Sequence, residues 1–510
     1  MFDTLQVMMT ILTIPPPPGV RIPRWPGAME LIPMILDSEK HGSRASFLRS
    51  PDATHIQFKN QSLDAIQKEA VRHALSSQHI ALISGPPGTG KTTVLVEIIQ
   101  QLASQDQRVL VCGNSTATVD NIFTMLVANK VRCLRLGNLK HSQHPCINEC
   151  TMDYQLINGP TGPNIIHLKS SLREPLNGRP RQHSSEKIRE MRQELSRLEL
   201  IGFKNIVSGA RIVLSTLTDA SREGLRNHCF DVAIIDEASA ALDPECWLAI
   251  SHANRIVMSG DNHQLSPTVI SHSSYLEKTL FKRMMDFCPY LLVSLTQQYR
   301  MNSTIMQFPF RYLYRQAITT PLTVKHRLLS HLPHVEENDF TSRSLLFINT
   351  SNCNISENPD SGSKWNPGES SLVVGHVAKL IAAGVEADMI GVISLYNAQT
   401  EVLRAMIQPR FPKVEVGSVD AFQGREKEAI IVSLVRSNPL KRVGLLRDYR
   451  RLNVAMTRAR RHLCIAGDGE NLLDHNQVPN NDSQFDASFL PAFGNHLGRF
   501  ADTWLPEMYL

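Results

Sequence analysis

The sequence predicts an α/β protein of two doubly wound domains in tandem, each with a parallel sheet, the first carrying a helical insertion. Three observations predict it. Short apolar runs bounded by polar turns alternate with segments whose apolar residues recur at helical spacing, along most of the chain after residue 60. One run-to-helix junction holds a glycine-rich octet, Gly85-Pro86-Pro87-Gly88-Thr89-Gly90-Lys91-Thr92. The alternation breaks once, between about 138 and 205, and then resumes. Strands alternating with helices require a parallel sheet covered on both faces.

The bulk properties narrow the class. A length of 510 residues suits roughly three domains. At 42% hydrophobic and 20% charged, the composition is that of a globular protein with ample core. A net charge of +5 is too small to attract a polyanion globally, so any nucleic-acid site must be a local stripe. The nine scattered cysteines argue against a disulfide framework. The apolar run at residues 5–14 lacks a basic lead-in and stops at Pro15, so it reads as neither a signal nor a span. The expectation is a soluble monomer in the cytoplasm and/or nucleus, with no membrane partner.

The elements follow in order. Residues 1–60 show little pattern beyond prolines 15–18 and one short helix at 27–39. A helix over Asp64 to Leu75 precedes the apolar strand Ile80 to Ile83, the octet, and a helix from Thr93. Arg108 to Cys112 reads as a strand, Val119 to Ala128 as a helix, and Val131 to Leu136 as a strand. Residues 138–184 are rich in Asn, His, Pro, Ser and Gly and read as irregular. A charged helix over Ser185 to Leu200 follows, with interleaved Glu and Arg marking a solvated face. Strands resume at Ile212 to Leu214, Val232 to Ile235 and Ile256 to Met258, with a helix at Leu242 to Ser251. A second series begins near Leu291, with strands at 345–348, 390–394, 429–434 and 462–466, helices near 370–383 and 397–408, and a surface loop at 350–368.

The chemistry starts at the octet. Glycines let successive N–H groups turn inward around a phosphate, and the following helix N-terminus favours an anion. Gly85, Pro86, Pro87, Gly88, Thr89, Gly90, Lys91 and Thr92 therefore predict a nucleoside triphosphate site, with Lys91 on the β- and γ-phosphates and the Thr92 hydroxyl on Mg²⁺. Asp236 and Glu237 end an apolar strand on the edge where open α/β sheets bind ligands. Asp236 is expected to hold Mg²⁺ and Glu237 to activate water. Gln264, after the Gly260-Asp261 turn, offers an amide able to bond both the attacking water and the γ-phosphate. Phosphoryl transfer also needs added positive charge, for which Arg300 and Arg458 are the candidates. His141, His144, Cys146 and Cys150 lack finger spacing, so no zinc is expected.

The ordered set carries a resemblance. Gln67, the octet, Asp236-Glu237-Ala238-Ser239, Gly260-Asp261-Asn262-His263-Gln264-Leu265, Gln298-Tyr299-Arg300-Met301, Val419 to Glu426 and Asn453 to Arg460 appear in sequence. Ala241 to Trp247 and Asn366-Pro367-Gly368-Glu369 sharpen it. Over about residues 60–500 the chain resembles superfamily 1 helicases of the nonsense-mediated-decay helicase type. Within them it resembles the group of immunoglobulin mu-binding and fungal polymerase-alpha-associated helicases.

The resemblance implies two RecA-like domains with ATP between them. Gln67 would read adenine, Tyr299 would lie by the base or phosphates, Glu426 would bind the ribose, and Arg300 and Arg458 would be fingers. It implies an ATP-dependent 5′-to-3′ helicase or translocase on single-stranded RNA or DNA, with strand-stimulated ATP hydrolysis. The alternative is an ATP-gated clamp that grips strands without unwinding them. Domains are expected at 1–60 (a remnant or linker, too short for the family's β-barrel), 61–290 with the insertion at about 138–205, 291–475, and a tail at 476–510. Thr116 stands in a turn, Gly113 to Thr116, that departs from the family's strand-contacting pattern, as do Ala240, Asn302 and Leu395 from theirs.

Overall fold

The computed structural model describes residues 56–137, 148–173, 185–267, 278–315, 318–358, 362–473, 488–504 and 506. The expectations for the proline run at 15–18, the helix at 27–39, and His141, His144 and Cys146 lie outside these residues. The chain divides into two compact units. The first comprises Met1–Ser84, Lys91–Gly260 and Pro267–Leu295, and the second Gly85–Gly90, Asp261–Ser266 and Thr296–Leu510.

In the first unit the strands are β1 (Ile80–Ser84), β2 (Val109–Gly113), β3 (Leu134–Arg135), β4 (Ile212–Thr216), β5 (Phe230–Asp236), β6 (Ala253–Gly260) and β7 (Leu292–Ser294). They pair in the order β3-β4-β2-β5-β6-β1-β7, every pair parallel. The continuous apolar runs follow from burial on both faces. Along β5, Val232 and Ile234 enter one core layer, while Ala233 and Ile235 enter the other. The helices are α1 (Ala65–Ser76), α2 (Lys91–Ser104), α3 (Thr116–Ala128), α4 (Met152–Asn158), α5 (Gly162–Arg173), α6 (Ser185–Gly209), α7 (Asp243–Ile250) and α8 (Leu280–Phe287).

The insertion differs from expectation. The stretch at 138–184, read as irregular, carries α4 and α5. Pro163 sits in the first turn of α5, where a missing N–H breaks no helical hydrogen bond. The charged helix also runs past residue 200 to Gly209, because Phe203 and Val207 on its last turns are buried against the sheet.

In the second unit the strands are β8 (Leu345–Asn349), β9 (Ile390–Ser394), β10 (Glu415–Ser418), β11 (Lys427–Ser433), β12 (Ala459–Gly467) and β13 (Asp502–Trp504). They pair in the order β10-β9-β11-β12-β8-β13, again all parallel. Ala429 and Ile431 face one core layer, and Ile430 and Val432 the other. The helices are α9 (Ser303–Pro309), α10 (Leu322–Lys325), α11 (Pro367–Ala382), α12 (Asn397–Ile407), α13 (Tyr449–Met456), α14 (Gly469–Leu473) and α15 (Phe489–Phe500). The last segment, read as a tail, thus supplies a helix and a strand. Phe489, Phe493 and Leu497 of α15 are buried, the first two with rings 5.3 and 5.2 Å from that of Phe308, and β13 pairs along β8. Among the described residues no helix is long and apolar enough to cross a membrane.

Candidate functional site

In the first unit the decisive side chain is Asp236, the last residue of β5 and 2% exposed. Ser259 Oγ at the end of β6 donates to its Oδ1, and the Glu237 backbone N–H donates to the same oxygen at 2.9 Å. Burial raises the carboxyl above its ordinary range. The Ser259 bond, the Lys91 charge, the Glu237 amide and the Thr92 hydroxyl oppose that rise. Lys91 and Thr92 open α2, so the strand-end carboxylate and the helix-start cation and hydroxyl converge at one sheet edge. A carboxylate beside a hydroxyl is a hard, oxygen-only donor set, suited to a cation that keeps most of its ligands from water and phosphate.

Glu237 adopts φ 54°, ψ 38°, a left-handed conformation uncommon outside glycine. It costs on the order of 1 kcal/mol or more and turns the chain sharply off the strand end. Gln67, 4% exposed, is the N3 residue of a capping box on α1. Its Oε1 accepts from the Asp64 N–H at 3.1 Å, and its own N–H donates to Asp64 Oδ1 at 2.7 Å. Its side-chain oxygen is therefore committed to the helix start, a local role that the sequence reading did not give it.

The second unit contains the remaining candidates. Within Gly85–Gly90, Gly88 (φ 79°) and Gly90 (φ 81°) are left-handed, and Thr89 Oγ1 donates to the Pro86 carbonyl at 2.8 Å. The Tyr299 N–H donates to the Gly88 carbonyl at 2.8 Å. A Cβ on Gly88 would stand 2.6 Å from Arg300 Cβ, so only glycine allows this approach. The turn bearing Tyr299 and Arg300 is fixed by Gln298, whose buried Oε1 accepts from the Arg300 and Met301 amides at 2.9 and 2.8 Å.

Arg300 pairs with Glu426 and donates through Nη1 to the Thr457 carbonyl at 3.0 Å. Arg460 pairs with Glu426 from another side, and also with Glu428 at 2.9 Å, which in turn pairs with Arg461 at 2.7 Å. Burial raises the Glu426 carboxyl, but the two guanidinium groups overcome this and hold it at about 2. Glu426, expected on a ribose, is thus held between two arginines.

Arg458 is 2% exposed. It donates to the Val454 carbonyl at 3.0 Å, the Arg425 carbonyl at 3.4 Å, and Gln264 Oε1 at 2.8 Å. The Gln264 amide nitrogen donates to Asp261 Oδ2 at 2.8 Å. The same Asp261 oxygen accepts from the Tyr314 hydroxyl at 2.6 Å, and Asn453 donates to Tyr314 at 3.1 Å and to the His263 carbonyl at 2.7 Å. Burial, with Asp261 beside it, raises the Tyr314 hydroxyl far above its usual range, so it stays a donor.

Two family models, each described as an AAA domain, match residues 62–167 with 164–272, and 276–470. DNA polymerase alpha-associated DNA helicase A of Schizosaccharomyces pombe is 40% identical over 429 residues, covering 81% of this chain and 64% of that protein. DNA-binding protein SMUBP-2 of Mesocricetus auratus is 38% identical over 434 residues, covering 82% and 44%. An uncharacterized ATP-dependent helicase of Methanocaldococcus jannaschii is 31% identical over 475 residues, covering 83% of this chain and 70% of that protein. The chain belongs to the superfamily 1 helicases. It spans less than two thirds of the length of the first two relatives.

As a superfamily 1 helicase the chain has its two tandem α/β units as RecA-like domains. The sequence reading missed three parts of this helicase's site. Ser259 was hidden because a serine inside an apolar strand reads as core filler. Tyr314 and Asn453 were hidden because their partner, Asp261 or its neighbour, lies far away in sequence. A signal did exist for Asn453, which opens a quoted motif yet is 0% exposed.

Proposed function

We propose that this helicase hydrolyses ATP in response to single-stranded RNA or DNA and uses the cycle to move 5′ to 3′ and part duplexes. The observation that carries the reading is the convergence at Asp236: a buried strand-end carboxylate takes the Thr92 hydroxyl and faces the Lys91 charge, directly after a glycine-rich loop. Relatives named as an ATP-dependent helicase and a DNA helicase support it.

In this reading the backbone of Gly85 to Gly90 and Lys91 bind the phosphates. Thr92 and Asp236 hold Mg²⁺, which when bound supplies charge neutralisation on the phosphate oxygens. Glu237 takes the proton of the attacking water, and Gln264 orients that water. Arg300 and Arg458 stabilise the charge that develops on the transferred group. Gln67 and Tyr299 fix the base end through their remaining surfaces, and Glu426 shares its carboxylate with a ribose hydroxyl. Work on a soluble nucleic acid, as a monomer in the nucleus or cytoplasm, completes the reading. No specific observation favours the clamp that holds strands without unwinding.

The test is twofold. ATP turnover of the purified chain is expected to rise with added single strands, and a forked duplex is expected to separate only with ATP. Turnover indifferent to strands would sink the reading. Stimulated turnover without separation would replace it by the clamp.

A further inference from the structure

The segment that leads into α1, residues 57–60, is held by an acid that has no part in the chemistry above. Glu97 lies in the second turn of α2, beyond Lys91 and Thr92, and is 1% exposed. Its Oε1 accepts from the Lys59 N–H at 2.8 Å and its Oε2 from the Asn60 N–H at 2.9 Å. Gln101, one turn further along α2, donates through Nε2 to Glu97 Oε1 and to the Gln57 carbonyl, both at 2.8 Å. Three backbone groups of one short segment are thereby bonded to one face of α2.

The same segment is fixed to α1. The Phe58 ring lies 5.2 Å from the Arg72 guanidinium and 5.7 Å from the Lys68 ammonium, both on α1. Asn60 Oδ1 accepts from the Ser62 N–H at 3.0 Å and from Ser62 Oγ at 2.6 Å. Asp64 then caps α1 in the box it shares with Gln67.

A buried carboxylate is costly unless its oxygens are hydrogen-bonded, and here both are engaged by successive amides. What the acid adds over an apolar side chain is direction. Val71 of α1 belongs to one apolar layer with Val94 and Ile98 of α2, but apolar contact is non-directional and tolerates sliding. Two charge-assisted bonds to neighbouring amides fix the register of the segment along α2.

That register matters for a nucleotide. Lys91 and Thr92 stand at the start of α2, and Glu97 is about 9 Å further along the same rigid axis. Gln67 stands on α1. Base and triphosphate are joined covalently, so the groups that read them must keep one separation.

We propose that Glu97 is a positioning residue for base selection. By holding residues 57–60 it sets the offset of Gln67 from Lys91 and Thr92, so that adenine and the phosphates are engaged at once. The proposal rests on the roles of Gln67, Lys91 and Thr92 given above. Glu97 itself touches no nucleotide, so its loss blunts discrimination between bases and spares phosphoryl transfer.

The test compares ATP with inosine triphosphate, whose base exchanges donor for acceptor along the edge adenine presents, using the full chain with saturating strand. The parent is expected to favour ATP at least about tenfold in kcat/KM, because the wrong edge leaves polar groups of the site unpaired. Glu97→Gln sets an amide donor against a backbone donor. It is expected to raise KM for ATP about tenfold, hold kcat within about twofold, and bring the preference for ATP below about threefold. Inhibition by inorganic tripolyphosphate, which carries no base, should match the parent. Gln101→Met is milder, because both amide bonds of Glu97 remain. It should shift KM and the preference the same way by about threefold, and it decides the matter if Glu97→Gln does not fold. A parental preference for ATP in both variants, or a fall in kcat with KM and preference unchanged, overturns the proposal and leaves Glu97 as a tie for the fold alone. A parent without preference, or a Gln67→Ala variant that keeps it, instead sinks the base-reading role of Gln67 and this inference with it.

Discussion

Arg458 donates through Nη2 to the side-chain oxygen of Gln264 at 2.8 Å, and both residues are almost wholly buried. Two groups expected to act on the same γ-phosphate are thus joined to each other. Arg458→Ala is expected to lower ATP turnover by at least about 10³ with ATP affinity changed less than about tenfold. It also strips a donor from the Val454 carbonyl, costing about 1–3 kcal/mol of stability. Because the pair acts as a unit, Gln264→Ala added to Arg458→Ala should lower turnover little further. Steady-state ATP hydrolysis with saturating strand, alongside equilibrium nucleotide binding, checks both variants against Gln264→Ala alone; full additivity would separate the two residues.

At the Asp236 end, Lys91→Ala is expected to abolish nucleotide binding. Glu237→Gln should retain binding and lose about 10²–10⁴ in turnover, leaving ATP trapped. A fluorescent nucleotide titration and a single-turnover assay distinguish the two. A Glu237→Gln variant with parental turnover would take the water-activating role away from Glu237.

Glu426 gives a pH test with a definite sign. Its folded carboxyl is held at about 2 against an ordinary 4.5, so the ionised form stabilises the fold. That contribution is complete above about pH 4.5 and is lost as pH falls toward 2. Glu426→Gln should therefore be less stable than the parent by a constant margin at neutral pH, and the margin should narrow in acid. Urea unfolding across that range is the measurement, and a margin independent of pH would show that the two arginines do not hold the charge.

Glu369 runs the other way. Burial pushes its carboxyl up to about 7, although Ser433 and the Val435 and Leu434 amides favour the ionised form. Stability relative to a non-titrating Glu369→Gln is greatest below about pH 4.5 and declines as pH rises to about 7, by on the order of 3 kcal/mol. The same unfolding series reads it. A parent-to-variant difference flat between those limits would put the carboxyl back in its ordinary range.

The contrast between these residues shows what the chain reveals unaided. The glycine-rich octet and the acidic end of β5 are legible because each is a local pattern whose chemistry is complete within a few residues. Glu369 reads from sequence only as an acid in the first turn of a helix that Asn366 caps, a favourable place for a surface carboxylate. Its burial comes from β11, more than sixty residues on, as the Ser433 contact shows. The left-handed Val435 has no sequence signal either, since propensity argues against it. The Glu426 clamp was hidden for a related reason: a motif assigns the residue to a ligand, while two arginines on different elements compete for it. The helices α4 and α5 were missed because Gly, Pro, Asn and Ser, good turn formers singly, also occupy helix starts.

The strand β13 lies along β8, the last motif-free pairing of the second sheet, and α15 carries the phenylalanines that close over Phe308. A fragment designed on the recognisable motifs alone would stop near residue 473. It would bare the hydrogen-bonding rim of β8 and an aromatic face together, a template on which copies stick to one another. Shortened versions of this chain that precipitate should be lengthened through residue 506 before any other change is tried.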